Sequence, residues 1–139
     1  MAHLSPYLSF SGNCREALLF YQSCLGGELH LQPLGESPLA GQVPAENQQR
    51  IMHGTLATDT FTIMASDTGG LRGALVPGNN VAQCLACSSE AETRHLFEAL
   101  AAGGTVVDPL ADMFWGGLFG AVTDRFGTNW LLSFNKPAK

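Results

Sequence analysis

The sequence predicts an α+β fold in which two tandem β-α-β-β-β modules form curved, mostly antiparallel sheets around a cleft. Two stretches carry apolar residues at helical spacing, and a Leu-Phe pair at residues 19–20 of the first recurs at residues 96–97 of the second. A Gly-Gly pair ends each stretch at the same distance downstream, at residues 26–27 and 103–104. Because extended segments flank both predicted helices, we interpret the chain as an internal duplication.

The first module begins with an extended segment at residues 7–10. Asn13 and Glu16 then have the spacing of a capping box, in which side chains satisfy the free backbone groups at a helix start. After the helix, the pattern predicts strands at residues 28–34, 50–57 and 61–65, with a Pro- and Gly-rich loop at 35–47 and a hairpin turn at 58–60.

The second module repeats this order. Residues 81–87 are extended, and Ser89 and Glu92 form a second capping box. The remaining segments are predicted strands at 105–109, 117–123 and 128–134, a loop at 113–117 and a turn at 124–127.

Residues 67–80 contain four glycines and one proline and are typical of a linker. Neither half could close a core alone at about seventy residues. We therefore expect a single domain over residues 1–139, with module one at about 1–68, the linker at about 69–79 and module two at about 80–139.

Composition excludes several classes of protein. Of the 139 residues, 45% are hydrophobic and 14% are charged, which is typical of a folded chain. A net charge of −5 argues against nucleic-acid binding, which requires a basic surface. The chain has neither a long apolar run nor a signal-peptide pattern, so we expect a cytoplasmic protein without a membrane partner.

Two of the four cysteines form a C-x-x-C sequence that invites a zinc or redox interpretation. Cys84 and Cys87 lie on a predicted strand, where positions three apart point to opposite faces. We therefore expect the cysteines to act as small buried hydrophobic residues.

Three short sequences are distinctive: Phe-Tyr at residues 20–21, Leu-Gly-Gly at 25–27 and Asp-Arg-Phe-Gly at 124–127. With the paired β-α-β-β-β modules, they resemble the vicinal oxygen chelate superfamily, which includes glyoxalases, bleomycin- and fosfomycin-resistance proteins and extradiol dioxygenases. Residues 112–120, together with Gly-Asn-Cys at 12–14, Ser-Asp at 66–67 and Trp130, resemble its PhnB-like branch. The resemblance covers nearly the whole chain and implies the fold, and it also implies a homodimer.

The resemblance further implies a divalent metal held by His, Gln and Glu side chains on the first and last strands of each module. Counting back from the Phe-Tyr pair places the first position near Pro6, and the duplication places its second-module equivalent near Gln83. The last-strand position, after Asp-x-x-Gly, falls on Trp130, and its first-module equivalent falls within about one residue of Met64. These residue types do not make a site for a hard metal ion. We therefore expect neither a metal nor another cofactor.

An aromatic segment, Phe114, Trp115 and Phe119, lies among glycines. One interpretation is a pocket wall for a small organic ligand, since ligand pockets are mostly apolar. Another is a packed loop that seals the cleft or forms a dimer seam. A third is that Trp115 and Trp130 fill the cleft. Asp112 and Asp67 flank such loops and are expected to cap turns.

His53 is the one catalytic candidate, because strand alternation can direct it to the cleft and imidazole suits proton transfer near neutral pH. A hydrogen bond at a polar rim is the alternative role.

The leading hypothesis is a protein that binds a small organic molecule in an aromatic-lined cleft without a metal. The expected ligand-binding residues are His53, Met64, Gln83, Phe114, Trp115, Phe119 and Trp130. The alternative is a glyoxalase- or lyase-like enzyme acting on a small substrate with a non-standard or metal-dependent site. The methyltransferase label given to many PhnB-like proteins is disfavoured, because no glycine-rich turn follows a parallel strand.

Overall fold

A computed structural model describes residues 2–38, 40–42, 44–67 and 75–135. The chain forms two compact units, Met1–Val76 and Pro77–Lys139. Each unit has the element order β-α-β-β-β, so the predicted α+β fold and its duplicated modules are confirmed.

The first unit is a four-stranded sheet with one long helix. Its strand order is β1-β4-β3-β2, with β1 parallel to β4 and the other pairs antiparallel. Short 3₁₀ turns occupy much of the segment predicted as a loop. The main elements are β1 (Tyr7–Ser9), α1 (Cys14–Leu25), β2 (Glu28–Pro33), β3 (Ile51–Ala57) and β4 (Thr62–Ser66).

The second unit repeats this topology with the strand order β5-β8-β7-β6. Its edge strand β6 continues to Asp112, beyond the predicted end at Pro109, through two register irregularities. The elements are β5 (Gln83–Ala86), α2 (Glu90–Ala101), β6 (Thr105–Asp112), β7 (Gly117–Thr123) and β8 (Asn129–Asn135).

A glycine on a central strand lets the helix of each unit pack closely on its sheet. A Cβ at Gly54 would lie 2.6 Å from Cδ1 of Leu18 on α1, and a Cβ at Gly120 would lie 2.6 Å from Cε2 of Phe97 on α2. Each sheet therefore has one face covered by its helix and an opposite face, which we call the open face.

The two helices begin differently. At α2, the Glu92 N–H donates to Ser89 Oγ at 3.0 Å, so the predicted Ser89 cap is confirmed, while the Glu92 carboxylate accepts from the Ser88 N–H at 2.9 Å, one residue before the position that a capping box uses. At α1 the prediction is wrong, because Asn13 makes no side-chain capping bond. A carboxylate from the end of β4, Asp67, occupies that place.

Asp67 belongs to the first unit's core and not to a linker, since it is only 4% exposed. Its Oδ1 accepts from the N–H groups of Gly12 at 2.8 Å and Cys14 at 2.9 Å, while Oδ2 accepts from the Ile51 N–H at 2.9 Å. This one side chain joins the starts of α1 and β3 to the end of β4. The rest of the predicted linker is only partly described, since residues 68–74 lie outside the described ranges.

Among the described residues, none of the four cysteines forms a disulfide bond, and their surroundings differ. Cys14 and Cys24 are buried as expected, whereas Cys84 is exposed and corrects that expectation. Among the described residues, no helix is long and apolar enough to cross a membrane.

Candidate functional site

The open face of the first sheet is polar. Strand register places Tyr7 beside Met64, Met64 beside Thr55 and Thr55 beside His30 in one row across four strands. His53 lies in the neighbouring row, opposite Gln32. Two of the predicted site residues, His53 and Met64, therefore share this face.

Tyr7 and His53 are in ring contact on this face. Their ring centroids are 5.9 Å apart with the planes tilted by 33°. Tyr7 is 50% exposed, and His53 is partly exposed. An imidazole in this position can accept or donate a proton, and the phenol ring beside it offers an apolar surface with a polar tip.

The open face of the second sheet is apolar. One row across the strands runs through Cys84, Leu131 and Ala121, and the next runs through Ala86, Ser133 and Phe119. Phe119 therefore lies on the open face of the second sheet. The two modules share one topology, but their open faces have different chemistry.

An exposed aromatic pair stands at the turn between β6 and β7. The turn is closed by the Met113 N–H, which donates to the Gly117 carbonyl at 2.7 Å. Phe114 is 98% exposed and Trp115 is 55% exposed, with ring centroids 5.1 Å apart and planes at 83°. Gly116 has φ +92°, a conformation that favours glycine, and so allows this tight turn.

Trp130 lies on the helix-covered face and is 1% exposed. Its register partners are Val122 on β7 and Gln83 on β5, so Gln83 lies on the same face. The expectation that Trp130 and Gln83 face an open cleft is therefore wrong. The alternative that Trp130 fills such a cleft is wrong for the same reason, because its side chain is buried beneath the helix.

The error in placing Trp130 is one of register. Gly54 pairs with Ala65 and Gly120 pairs with Leu132, so the first-module equivalent of Trp130 is Ile63 and not Met64. Because side chains alternate along a strand, a shift of one residue moves a position to the other face. Pro6 lies one residue before β1, and its carbonyl accepts from the Met64 N–H at 2.9 Å.

Of the four positions counted from the sequence, Met64 lies on an open face. The open-face neighbours of the other three, Pro6, Gln83 and Trp130, are Tyr7, Cys84 and Leu131. A phenol, a thioether, a thiol and an aliphatic chain do not fit a hard divalent ion, which takes imidazole and carboxylate ligands. In the part of the chain that the structure describes, no three His, Cys, Asp or Glu residues are grouped closely enough to hold a metal.

Residues 3–132 match the family model of the Glyoxalase/Bleomycin resistance protein/Dioxygenase superfamily. The chain belongs to this superfamily.

Two relatives place the chain within the superfamily. It is 35% identical to Protein YjdN from Escherichia coli, over 96% of this chain and 95% of that protein. It is 39% identical to PA1353 from Pseudomonas aeruginosa, whose crystal structure it matches with a TM-score of 0.87 over 99% of this chain and 100% of that one.

A PhnB protein from Bacillus cereus has the same fold, with a TM-score of 0.72 at 22% identity over 96% of this chain and 99% of that one. The sequence motifs identified the superfamily but did not reveal Tyr7, Cys84 and Leu131 as open-face residues. Strand alternation was the available signal, and it needed the correct register.

Proposed function

We propose that this superfamily member binds a small planar organic molecule through exposed aromatic side chains, without a metal ion. The observation that carries the proposal is the Phe114–Trp115 pair, two large rings held in water on a tight turn. Burying apolar surface gains about 25 cal/mol per Å², so a ligand ring stacked on these side chains would be stabilised. The perpendicular arrangement leaves ring faces available for stacking.

The open face of the second sheet supports an apolar ligand, because Phe119, Leu131 and Ala121 lie there. Of the residues predicted from sequence, the proposal therefore keeps Phe114, Trp115 and Phe119, which all belong to the second unit. In the first unit, Tyr7, Met64 and His53 form a separate surface with an aromatic ring, a polarisable sulfur and a hydrogen-bonding ring. The predicted ligand-binding roles of His53 and Met64 belong to that surface and stay predictions.

The proposal that no metal ion takes part rests on the chemistry of the open-face side chains. Family-type chelation needs imidazole, amide or carboxylate groups, and the open-face positions hold Tyr7, Met64, Cys84 and Leu131 instead. Dialysis against a chelator is therefore expected to leave ligand affinity unchanged. A stoichiometric divalent ion that survives purification, and whose removal abolishes binding, would overturn this part of the proposal.

Tryptophan fluorescence tests ligand binding, because Trp115 is half-exposed whereas Trp130 is buried. Phenazine, a neutral planar probe, should quench the red-shifted emission of Trp115 in a saturable way, and 1-adamantanol, a nonplanar apolar probe, should not. Phe114→Ala keeps the reporter and should weaken phenazine binding by about fivefold, the size of one aromatic contact.

Leu19→Ala is the matched control, since Leu19 is an exposed apolar residue, at 48%, on α1 of the other unit. It should leave the phenazine affinity unchanged. Equal affinities of the wild type and Phe114→Ala, or equal binding of both probes, would contradict the proposal.

Catalysis at His53 is a second candidate function, favoured by its partly exposed position beside Tyr7 on the open face. His53→Gln should then abolish proton-transfer activity. A turnover rate that is unaffected by this variant would exclude the candidate.

We also propose that the protein forms a homodimer, as the resemblance implies. Its low charge content of 14% supports this, because interface cores are depleted of charge. A monomeric mass by light scattering at micromolar concentration would overturn it.

A further inference from the structure

A cavity of about 260 Å³ lies on the helix-covered side of the first sheet and belongs to neither open face. Leu31, in its wall, shares the row of Gly54, the residue on which α1 packs. Arg15, also in the wall, comes from the first turn of α1. The cavity is thus separate from the surfaces of the proposed function, and binding there would not depend on that function.

Two opposite charges line this cavity without neutralising each other. Arg15 is partly buried and Glu36 is exposed. Within the described residues, neither side chain makes a hydrogen bond or an ion pair. An arginine held partly out of water without an acceptor is a ready site for a carboxylate, because its guanidinium presents paired donors.

The other residues that line the cavity limit the kind of ligand it can bind. Gln48 and Gln49 bring primary amides, which can both donate and accept hydrogen bonds, and Leu31 and Pro33 form an apolar surface. Drug-sized ligands need about 300 Å³ or more, so the occupant is smaller than these. It should carry one anionic and one cationic group.

We propose that this cavity binds a small zwitterion of the α-amino-acid class. The ligand carboxylate lies against Arg15 and its ammonium group against Glu36. Its side chain packs towards Leu31 and Pro33, with the amides of Gln48 and Gln49 completing the polar contacts. A ligand with only one of the two charges uses half of this site and binds more weakly.

Amide-resolved NMR titration of the full chain tests the proposal. The probes are L-leucine, L-glutamine and L-glutamate. Acetate, which has only the carboxylate, and methylammonium, which has only the ammonium group, serve as half-ligands. At least one amino acid should give saturable shifts of the amides of Leu31, Gly35 and Gln48, and it should bind about tenfold or more tightly than either half-ligand.

Two charge-removing variants identify the groups responsible. Arg15→Gln and Glu36→Gln should each weaken amino-acid binding by about tenfold or more, the loss expected for one charged contact. Glu36→Gln should leave acetate binding unchanged. The matched controls, Arg94→Gln and Glu90→Gln, remove an exposed ion pair on α2 and should not alter amino-acid affinity.

Three outcomes would overturn the proposal: no saturable shift with any amino acid at tens of millimolar, acetate binding as tightly as the amino acids, or wild-type affinity in either cavity variant. The second would indicate a simple anion site. Since the comparison of amino acids with half-ligands uses the wild-type chain, the proposal can fail even if a variant does not fold.

Discussion

The indole N–H of Trp130 donates a hydrogen bond of 2.8 Å to Oδ2 of Asp124 in the core of the second unit. The other carboxylate oxygen accepts from the N–H groups of Phe126 at 2.8 Å and Thr128 at 3.1 Å. Asp124 is 3% exposed. The turn before β8 is therefore joined to the core through one carboxylate.

Removing this carboxylate should destabilise the fold. We expect Asp124→Ala to lower the free energy of unfolding by about 2–4 kcal/mol, because a buried indole N–H and backbone N–H groups lose their acceptor. Urea unfolding measures the change. Asp108→Ala, at an exposed position on β6, is the control and should stay within about 0.5 kcal/mol of the wild type. An equal decrease in the free energy of unfolding of both variants would show that the hydrogen bonds of Asp124 do not stabilise the fold.

Asp67 should be equally sensitive for a related reason. Its two oxygens accept from three backbone N–H groups, so Asp67→Asn would turn an amide N–H₂ towards at least one of these donors. We expect a loss of about 1–3 kcal/mol in urea unfolding. Asp59→Asn, in the exposed turn between β3 and β4, should have little effect. Wild-type stability of Asp67→Asn would show that the helix start does not depend on this side chain.

The glycines beneath the helices should tolerate no side chain. In Gly54→Ala and Gly120→Ala, the new methyl groups would meet Leu18 and Phe97 at 2.6 Å, and we expect losses of about 1–3 kcal/mol in thermal or urea unfolding. Gly41→Ala is the control, because a Cβ there has no neighbour within 4 Å. If all three variants unfold alike, the packing of the helices on these glycines is not close.

Stability should fall at high pH because of Cys14. Burial, reinforced by the negative charge of Asp67, raises the pKa of its thiol to about 12 from an ordinary value of 9.0, although Arg15 acts in the opposite direction. Above pH 9.0 the unfolded chain releases this proton and the folded chain keeps it, so unfolding becomes easier up to about pH 12.

The Cys14 contribution is the difference between the wild type and Cys14→Ala in urea unfolding from pH 8 to 11. The wild type should lose stability more steeply, by at most about 1.4 kcal/mol per pH unit. In native protein, iodoacetamide should modify exposed Cys84 well before buried Cys14. Parallel pH dependence in the two proteins would refute the expected shift.

Much of the fold follows from local sequence, because the helix ends and turns are encoded nearby. The glycine pairs after α1 and α2, the Ser89 cap and the turn at 124–127 all lie where the sequence predicts them. The start of α1 could not be predicted in this way. Its cap comes from Asp67, more than fifty residues along the chain, and only the folded topology brings that carboxylate to Gly12.

The candidate site was predictable only in part, for a geometric reason. Phe114 and Trp115 lie in a turn whose exposure follows from its glycines, and the structure leaves both exposed. Trp130 and Met64 depend instead on strand register, where an error of one position exchanges the core face for the open face. Within β8 the alternation is readable, because Trp130, Leu132 and Phe134 share one face while Leu131 is the one apolar residue on the other. The sequence does not show which residue of β4 corresponds to Trp130, because that equivalence depends on strand pairing.

Strand β6 has a further consequence for how the chain behaves in concentrated solution. An unpaired edge strand is a template for uncontrolled strand addition between molecules. Pro109 lacks an N–H, and the two register irregularities interrupt the even spacing of the other donors along β6. Although Val106 and Val107 are exposed, we therefore expect this edge to be a poor seed for fibrils.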